Sequence, residues 1–126
     1  MKKHLIYILS FVTFISLIYV GLNLFGKFIY NTQSCEQFNI DNIELRTGVN
    51  IPEVTTTDCK CEDNKKVSKF IIDTDNVDLD DYVTKNEFTR VDDLYIKEND
   101  NKNSTYKVVL DKKTAELTVN LIYKDN

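Results

Sequence analysis

The sequence predicts an α+β protein, in which one N-terminal transmembrane helix precedes a small antiparallel sheet of about five strands and two short helices. Three observations support this prediction. An uncharged apolar run opens the chain, several later segments alternate apolar and polar residues, and two short segments combine helical spacing with helix-capping residues. With 126 residues, the chain has room for one folded domain at most.

The first element is an apolar run without charged residues, from Leu5 to Gly26. At a rise of about 1.5 Å per residue it spans about 33 Å, which is enough to cross a bilayer core. The alternative is a cleaved signal peptide, whose apolar region usually has about 7–15 residues and ends at small residues. This run is longer and no such site follows it, so we favour an uncleaved signal anchor.

The charges beside this run predict its orientation. Lys2 and Lys3 hold the N-terminus in the cytoplasm. We therefore divide the chain into a cytoplasmic tip and single-pass anchor (residues 1–27), a juxtamembrane tether (28–34) and an extracytoplasmic domain (35–126). The protein would lie in the inner or plasma membrane, with its domain outside, for example in the periplasm.

The domain opens with a predicted helix in the sequence DNIELRTGV. Asp41 is a good N-cap, and Glu44 three positions later completes the spacing of a capping box. Gly48 takes the left-handed conformation that ends a helix. Pro52, the only proline of the chain, fixes an extended backbone and suits the first residues of an edge strand.

Alternating residues then predict the sheet. Residues 51–61 are rich in β-branched side chains, and residues 67–73 place Ser68, Phe70 and Ile72 on one face. Helical spacing returns with Asp78 as N-cap, a short strand follows over 92–98, and residues 105–123 form a hairpin. Two helices would cover one face of this sheet and leave the other face wet.

The three cysteines all lie in the extracytoplasmic part, where sulfurs are usually paired. Cys59 and Cys61 are two apart on a predicted strand and cannot easily pair with each other. Cys35 is therefore expected to bond to one of them, and closing a loop of about 25 residues is worth on the order of 3 kcal/mol. The remaining thiol would be buried or would form an intermolecular bond. Without a histidine nearby, we assign no metal to the cysteines.

The predicted domain is acidic. Residues 28–126 contain twenty acidic and thirteen basic residues, a net charge of −7, which disfavours nucleic acid as a partner. Eight of the acidic residues lie between positions 73 and 93, where they can steer a basic partner protein or form an ordinary solvated surface. The candidates for partner binding are Asp73, Asp75, Asp80, Asp81, Asp92 and Asp93.

Enzymatic chemistry is not indicated. The domain has no histidine, no glycine-rich phosphate loop and no nucleophile elbow. The acidic run also fails the calcium-loop pattern, since Val77 stands where a ligand is needed and Asp78 where a glycine is needed. We therefore assign no catalytic residues, no cofactor and no enzymatic activity.

The segment IELRTGVNIP resembles small membrane- or lipid-anchored bacterial envelope proteins of uncharacterised function. These proteins have a short helix that ends in Thr-Gly, followed by an aliphatic residue, a proline and a strand. The resembling positions are Glu44, Thr47, Gly48, Val49, Ile51 and Pro52.

Three functions stay open on these grounds. The first is an extracytoplasmic protein-binding module, by analogy an immunity or inhibitor protein. The second is an accessory or structural subunit of a cell-envelope complex that acts through its transmembrane helix. The third is a sensor of a small ligand or an ion.

Overall fold

The computed structural model describes residues 1–124 and divides the chain into two compact units, Met1–Thr32 and Gln33–Asn126. The first unit consists of helix α1, Lys2–Asn31, which is long and apolar enough to span a membrane. The helix therefore continues into the predicted tether, and the second unit begins two residues before Cys35.

The second unit is the predicted α+β domain, an open antiparallel sheet with two short helices. The sheet has six strands in the order β1-β2-β6-β5-β4-β3. Its elements are α2 (Asn39–Thr47), β1 (Val54–Glu62), β2 (Lys65–Ile72), α3 (Leu79–Lys85), β3 (Thr89–Val91), β4 (Leu94–Asp100), β5 (Ser104–Asp111) and β6 (Glu116–Tyr123).

The sixth strand is β3, which was not predicted from the sequence. It has only three residues, all exposed, and it pairs with β4 across a turn at Asp92 and Asp93. Asp92 adopts a φ of 56°, a left-handed conformation that aspartate tolerates better than most residues. A strand this short carries too little alternation to be recognised from its sequence.

One face of the sheet is buried and the other is exposed, as predicted. Buried side chains alternate strictly with half-buried or exposed ones along β2, β5 and β6. Ser68, Phe70 and Ile72 share one face, as expected, and the structure shows that this face is the buried one. Residues of the α2 and α3 segments pack on this face, including Ile43, which is fully buried.

The start of α2 differs from the prediction. The helix begins at Asn39, after Phe38 in a left-handed conformation (φ 54°), and no side chain caps it. Asp41 is therefore not the N-cap but a residue of the first turn, where its charge still complements the helix dipole. Glu44 does not reach back to a cap, because its carboxyl accepts a hydrogen bond from the backbone of Ile51. Its pKa is raised by burial and by the nearby Asp41.

The end of α2 is as predicted. Gly48 has a φ of 70° and donates its backbone N–H to the Glu44 carbonyl oxygen over 2.9 Å. Pro52 is not part of a strand, since β1 begins at Val54. The proline instead lies in the extended connection between α2 and the edge strand β1.

The start of α3 also matches the prediction. The Asp78 side chain caps the helix by accepting hydrogen bonds from the backbone N–H groups of Asp80 and Asp81, over 2.9 and 3.3 Å. The β5–β6 hairpin matches as well, with Leu110 paired to Leu117 across it.

Candidate functional site

The predicted partner-binding residues lie together at one end of the sheet. The strand pairing brings three segments to this end: the end of β2, the β5–β6 turn and the β3–β4 turn. Glu116 of β6 pairs with both Ile71 of β2 and Asp111 of β5, and Asp111 pairs in turn with Leu94 of β4. The N-terminus of α3 lies at the same end, where Asp80 forms an ion pair with Lys112 of the β5–β6 turn. We call the six predicted partner-binding residues the acidic end: Asp73, Asp75, Asp80, Asp81, Asp92 and Asp93.

Three members of the acidic end have lysine partners. Asp80 pairs with Lys112 and Asp93 with Lys113, both from the β5–β6 turn, the latter over 3.5 Å. The hydrogen bond to Asp80 raises the pKa of Lys112. Asp81 pairs with Lys85 within α3, over 2.9 Å, in an exposed i,i+4 pair. Exposed ion pairs are worth only about 0–1 kcal/mol each, so these contacts moderate the local charge more than they stabilise the fold.

The other three members differ in their roles. Asp73 organises the loop after β2, since its carboxylate accepts hydrogen bonds from the Asp75 backbone and the Asn76 side chain. Asp75 and Asp92 are exposed and take part in none of the ion pairs found within residues 1–124. They are the acidic residues most accessible to a partner.

The opposite end of the sheet carries the cysteines. Cys35 and Cys59 lie at disulfide-bonding distance, with their Cα atoms 5.6 Å apart, as the prediction of a bridge from Cys35 to β1 requires. Cys61 is close to the same sulfur, with a Cα–Cα distance of 6.3 Å to Cys35. All three sulfurs lie within 4.8 Å of one another. We call this group the cysteine cluster.

A cluster of buried polar residues lies beneath α2 and was not predicted. Lys66 is 1% exposed, and its ammonium donates to Oδ1 of Asn42 over 2.8 Å. The Tyr123 hydroxyl donates to the same oxygen over 2.7 Å. One fully buried amide oxygen thus accepts from two side chains that are far apart in the sequence.

A second cation lies beside this cluster. The guanidinium of Arg46 stacks 4.7 Å from the centre of the Tyr123 ring and donates to the Asn103 carbonyl oxygen. Burial, with a smaller contribution from the neighbouring Arg46, lowers the pKa of Lys66 to about 8. Burial also raises the pKa of Tyr123 to about 12.

The buried polar cluster has the chemistry of a reactive lysine but lacks access for a substrate. A lysine that titrates near pH 8 can act as a base or nucleophile when it faces a pocket. Here the ammonium is enclosed by α2 and the sheet. Its role in this fold is to join α2 to β2 and β6.

One signal in the sequence could have revealed Lys66. It lies two residues before Ser68, in phase with Phe70 and Ile72 on the buried face. The predicted strand began at residue 67 and so did not include Lys66, and a lysine is almost never fully buried.

No protein-family model, curated protein or solved structure matches this chain.

Proposed function

We propose that this protein is a single-pass membrane protein whose extracytoplasmic domain binds a basic protein partner through the acidic end. The observation that supports it most is the separation of the two signs of charge. Arg46 and Lys66 are buried, whereas every acidic residue within 1–124 is at least partly exposed. The surface is therefore more acidic than the net charge of −7 suggests.

The anchor supports the first half of this proposal. Helix α1 contains the uncharged run from Leu5 to Gly26, and Lys2 and Lys3 precede it. A helix of this length and apolarity gains free energy in a bilayer, and the lysines favour the cytoplasmic side. A folded, cysteine-containing domain follows within a few residues, as suits the oxidising side of a membrane.

The geometry of the acidic end supports the second half. Its carboxylates come from the loop after β2, the first turn of α3 and the β3–β4 turn, which meet at one end of the sheet, so a partner can contact them together. Charge of this kind mainly increases the association rate, and salt weakens its effect. The absence of histidine from the domain sequence is in keeping with binding without catalysis.

Topology is tested with a reporter fusion. Alkaline phosphatase fused after Asn126 should be active, because it would be exported with the domain. An inactive phosphatase, together with an active cytoplasmic reporter at the same position, would place the domain inside the cell.

Binding is tested with two charge-reversal pairs in the tagged full-length protein, captured from membranes. Asp75→Lys with Asp92→Lys should slow association with the captured partner, and raising salt should slow the wild type in the same way. Glu36→Lys with Glu62→Lys is the matched control, since it changes the net charge equally at the cysteine end of the sheet. Equal on-rates for both variants and the wild type would leave the acidic end an ordinary surface.

A second function is favoured by polar residues in α1. Thr13, Ser16 and Asn23 lie on one side of the helix, and the Asn23 amide is exposed while donating to the Tyr19 carbonyl oxygen over 2.9 Å. Amides within a bilayer favour association with a second helix. If the protein acts as an accessory subunit through this helix, Asn23→Leu should abolish co-purification of the partner. The acidic-end variants should then leave co-purification unchanged.

A further inference from the structure

The two strand cysteines are equivalent in their access to Cys35. Cys59 and Cys61 lie on the same face of β1, opposite Ser68 and Lys66 of β2. Their Cα distances to Cys35, 5.6 and 6.3 Å, both fall within the range of about 4.4–6.8 Å that a disulfide needs. Because a sulfur forms only one disulfide, the two bridges exclude each other.

We propose that the cysteine cluster is a thiol–disulfide exchange site, in which Cys35 bonds alternately to Cys59 and Cys61 and the outward-facing Cys61 reacts with disulfides of other molecules. The observation that carries it is the presence of a third sulfur within 4.8 Å of the bridge. Attack along such a short path needs no movement of the backbone.

The internal step conserves atoms and electrons. The Cys61 thiolate attacks Sγ of Cys35, and a Cys35–Cys61 bond forms while the Cys35–Cys59 bond breaks. The electron pair leaves on Sγ of Cys59, which takes up the proton that Cys61 released. The chain is neither oxidised nor reduced.

Each strand cysteine has a polar partner that suits its unbridged form. Sγ of Cys61 lies 3.0 Å from the Gln33 carbonyl oxygen, to which a thiol can donate. Sγ of Cys59 accepts a hydrogen bond from the Ser68 hydroxyl over 3.4 Å. That hydroxyl is in turn held by the Asn39 side chain. Whichever bridge forms, the strand cysteine outside it therefore keeps a polar contact.

The two forms differ in the thiol they show to solvent. Cys61 is exposed, whereas Cys35 and Cys59 are half-buried. With the Cys35–Cys59 bridge in place, the Cys61 thiolate can attack an external disulfide, forming a mixed disulfide and releasing one thiolate of that molecule. With the alternative bridge, the remaining thiol is sheltered against β2.

The internal exchange is tested by mapping the bridges in the full-length protein in detergent, purified without reductant and trapped with N-ethylmaleimide. Trypsin cleaves after Lys60 and so puts Cys59 and Cys61 in different peptides. The wild type should give both cross-linked peptides, each with the other strand cysteine alkylated. Cys59→Ser and Cys61→Ser are matched controls that should each retain the single remaining bridge. One bridge alone in the wild type would overturn the proposal.

Ser68 provides a test that a merely structural role would not satisfy. Ser68→Ala removes the donor to unbridged Cys59, so the ratio of the Cys35–Cys61 to the Cys35–Cys59 form should fall about two- to tenfold. An unchanged ratio in a variant that keeps its fold would contradict the assignment of Ser68.

The outward reaction is tested with oxidised glutathione as the probe. The wild type should acquire the mixed disulfide on the peptide that starts at Cys61, and Cys61→Ser should lower the rate of modification at least tenfold. Modification mainly on the Cys59 peptide, or none at all while the domain stays folded, would overturn the role of Cys61.

Discussion

The two short helices of the domain are held in different ways. Helix α3 begins at a local cap, where the Asp78 carboxylate accepts from two backbone N–H groups within three residues. Helix α2 begins without a side-chain cap and is held by Asn42, which accepts from residues 24 and 81 positions away. One helix is therefore specified by its own sequence and the other by the strands beneath it.

This difference predicts different costs for disrupting each helix. A cap contributes about 1 kcal/mol, and its loss exposes backbone groups that water can satisfy. A buried acceptor costs more to remove, because its donors stay buried and unsatisfied. We therefore expect the largest loss of stability from removing the shared acceptor of α2 and the smallest from removing the cap of α3.

The largest effect is expected from removing the shared acceptor. Asn42→Ala removes the oxygen to which the Lys66 ammonium and the Tyr123 hydroxyl donate. The free energy of unfolding should fall by about 1–3 kcal/mol for each of these two donors. Asn42→Asp keeps an oxygen in place and supplies an opposite charge, so it should lose much less. Urea unfolding of the full-length protein in micelles, followed by tyrosine fluorescence, measures both. Equal losses would mean that the shared oxygen does not hold α2.

The second prediction concerns pH. The pKa of Lys66 is about 8 in the folded protein and near its ordinary value of 10.5 when unfolded. Between these values the unfolded chain binds more protons, so the free energy of unfolding rises with pH. At up to 1.36 kcal/mol per pH unit, the gain from pH 8 to 9.5 approaches about 2 kcal/mol.

A lysine variant isolates this effect. Lys66→Met has no titrating group at this position and should abolish the rise of the free energy of unfolding with pH. Lys69→Met, on the exposed face of the same strand, should preserve this rise. Measurements should stay below about pH 10, where tyrosines of the unfolded chain ionise and the raised pKa of Tyr123 lowers stability instead. A wild type whose stability does not change over this interval would contradict the buried ammonium.

The fold could be predicted where the signals are local. Alternation placed Ser68, Phe70 and Ile72 on one face of β2 and identified the β5–β6 hairpin. Residue type identified Gly48 as a helix end and Asp78 as a cap. Each of these depends on a few consecutive residues. The short strand β3 was not predicted, because three residues are too few to show an alternation of apolar and polar side chains.

The remaining features depend on contacts between distant residues. Helix α2 starts at Asn39, whose side chain donates to the Ser68 hydroxyl 29 positions away, and not after a cap at Asp41, which was a plausible local alternative. The charge of the acidic end was overestimated, since Lys112 and Lys113 lie outside the stretch that was counted. For the cysteines, spacing predicted a bridge from Cys35 but could not show that both strand cysteines reach it.

The third prediction concerns the end of α2, where a local signal was correct. A Cβ at Gly48 would meet no atom within 4 Å, so a substitution costs only the left-handed conformation. Gly48→Val should lose about 1–2 kcal/mol, and Gly48→Asn less, because asparagine tolerates this region. Urea unfolding ranks the two variants. If the two variants were equally stable, the end of α2 would not require a positive φ at residue 48.

The smallest effect is expected at the start of α3. Asp78→Ala removes the acceptor for the N–H groups of Asp80 and Asp81 and should cost about 1 kcal/mol. Asp78→Ser retains a capping oxygen without the charge and should restore most of this loss. Hydrogen exchange of the α3 amides is the sharper measurement, because a lost cap frays this helix before the sheet unfolds. Faster exchange in α3 alone would show a locally held helix, in contrast to α2, where Asn42→Ala should weaken protection in β2 and β6 as well. If Asp78→Ala also reduced protection in these two strands as much as Asn42→Ala, the distinction between the two helices would be wrong.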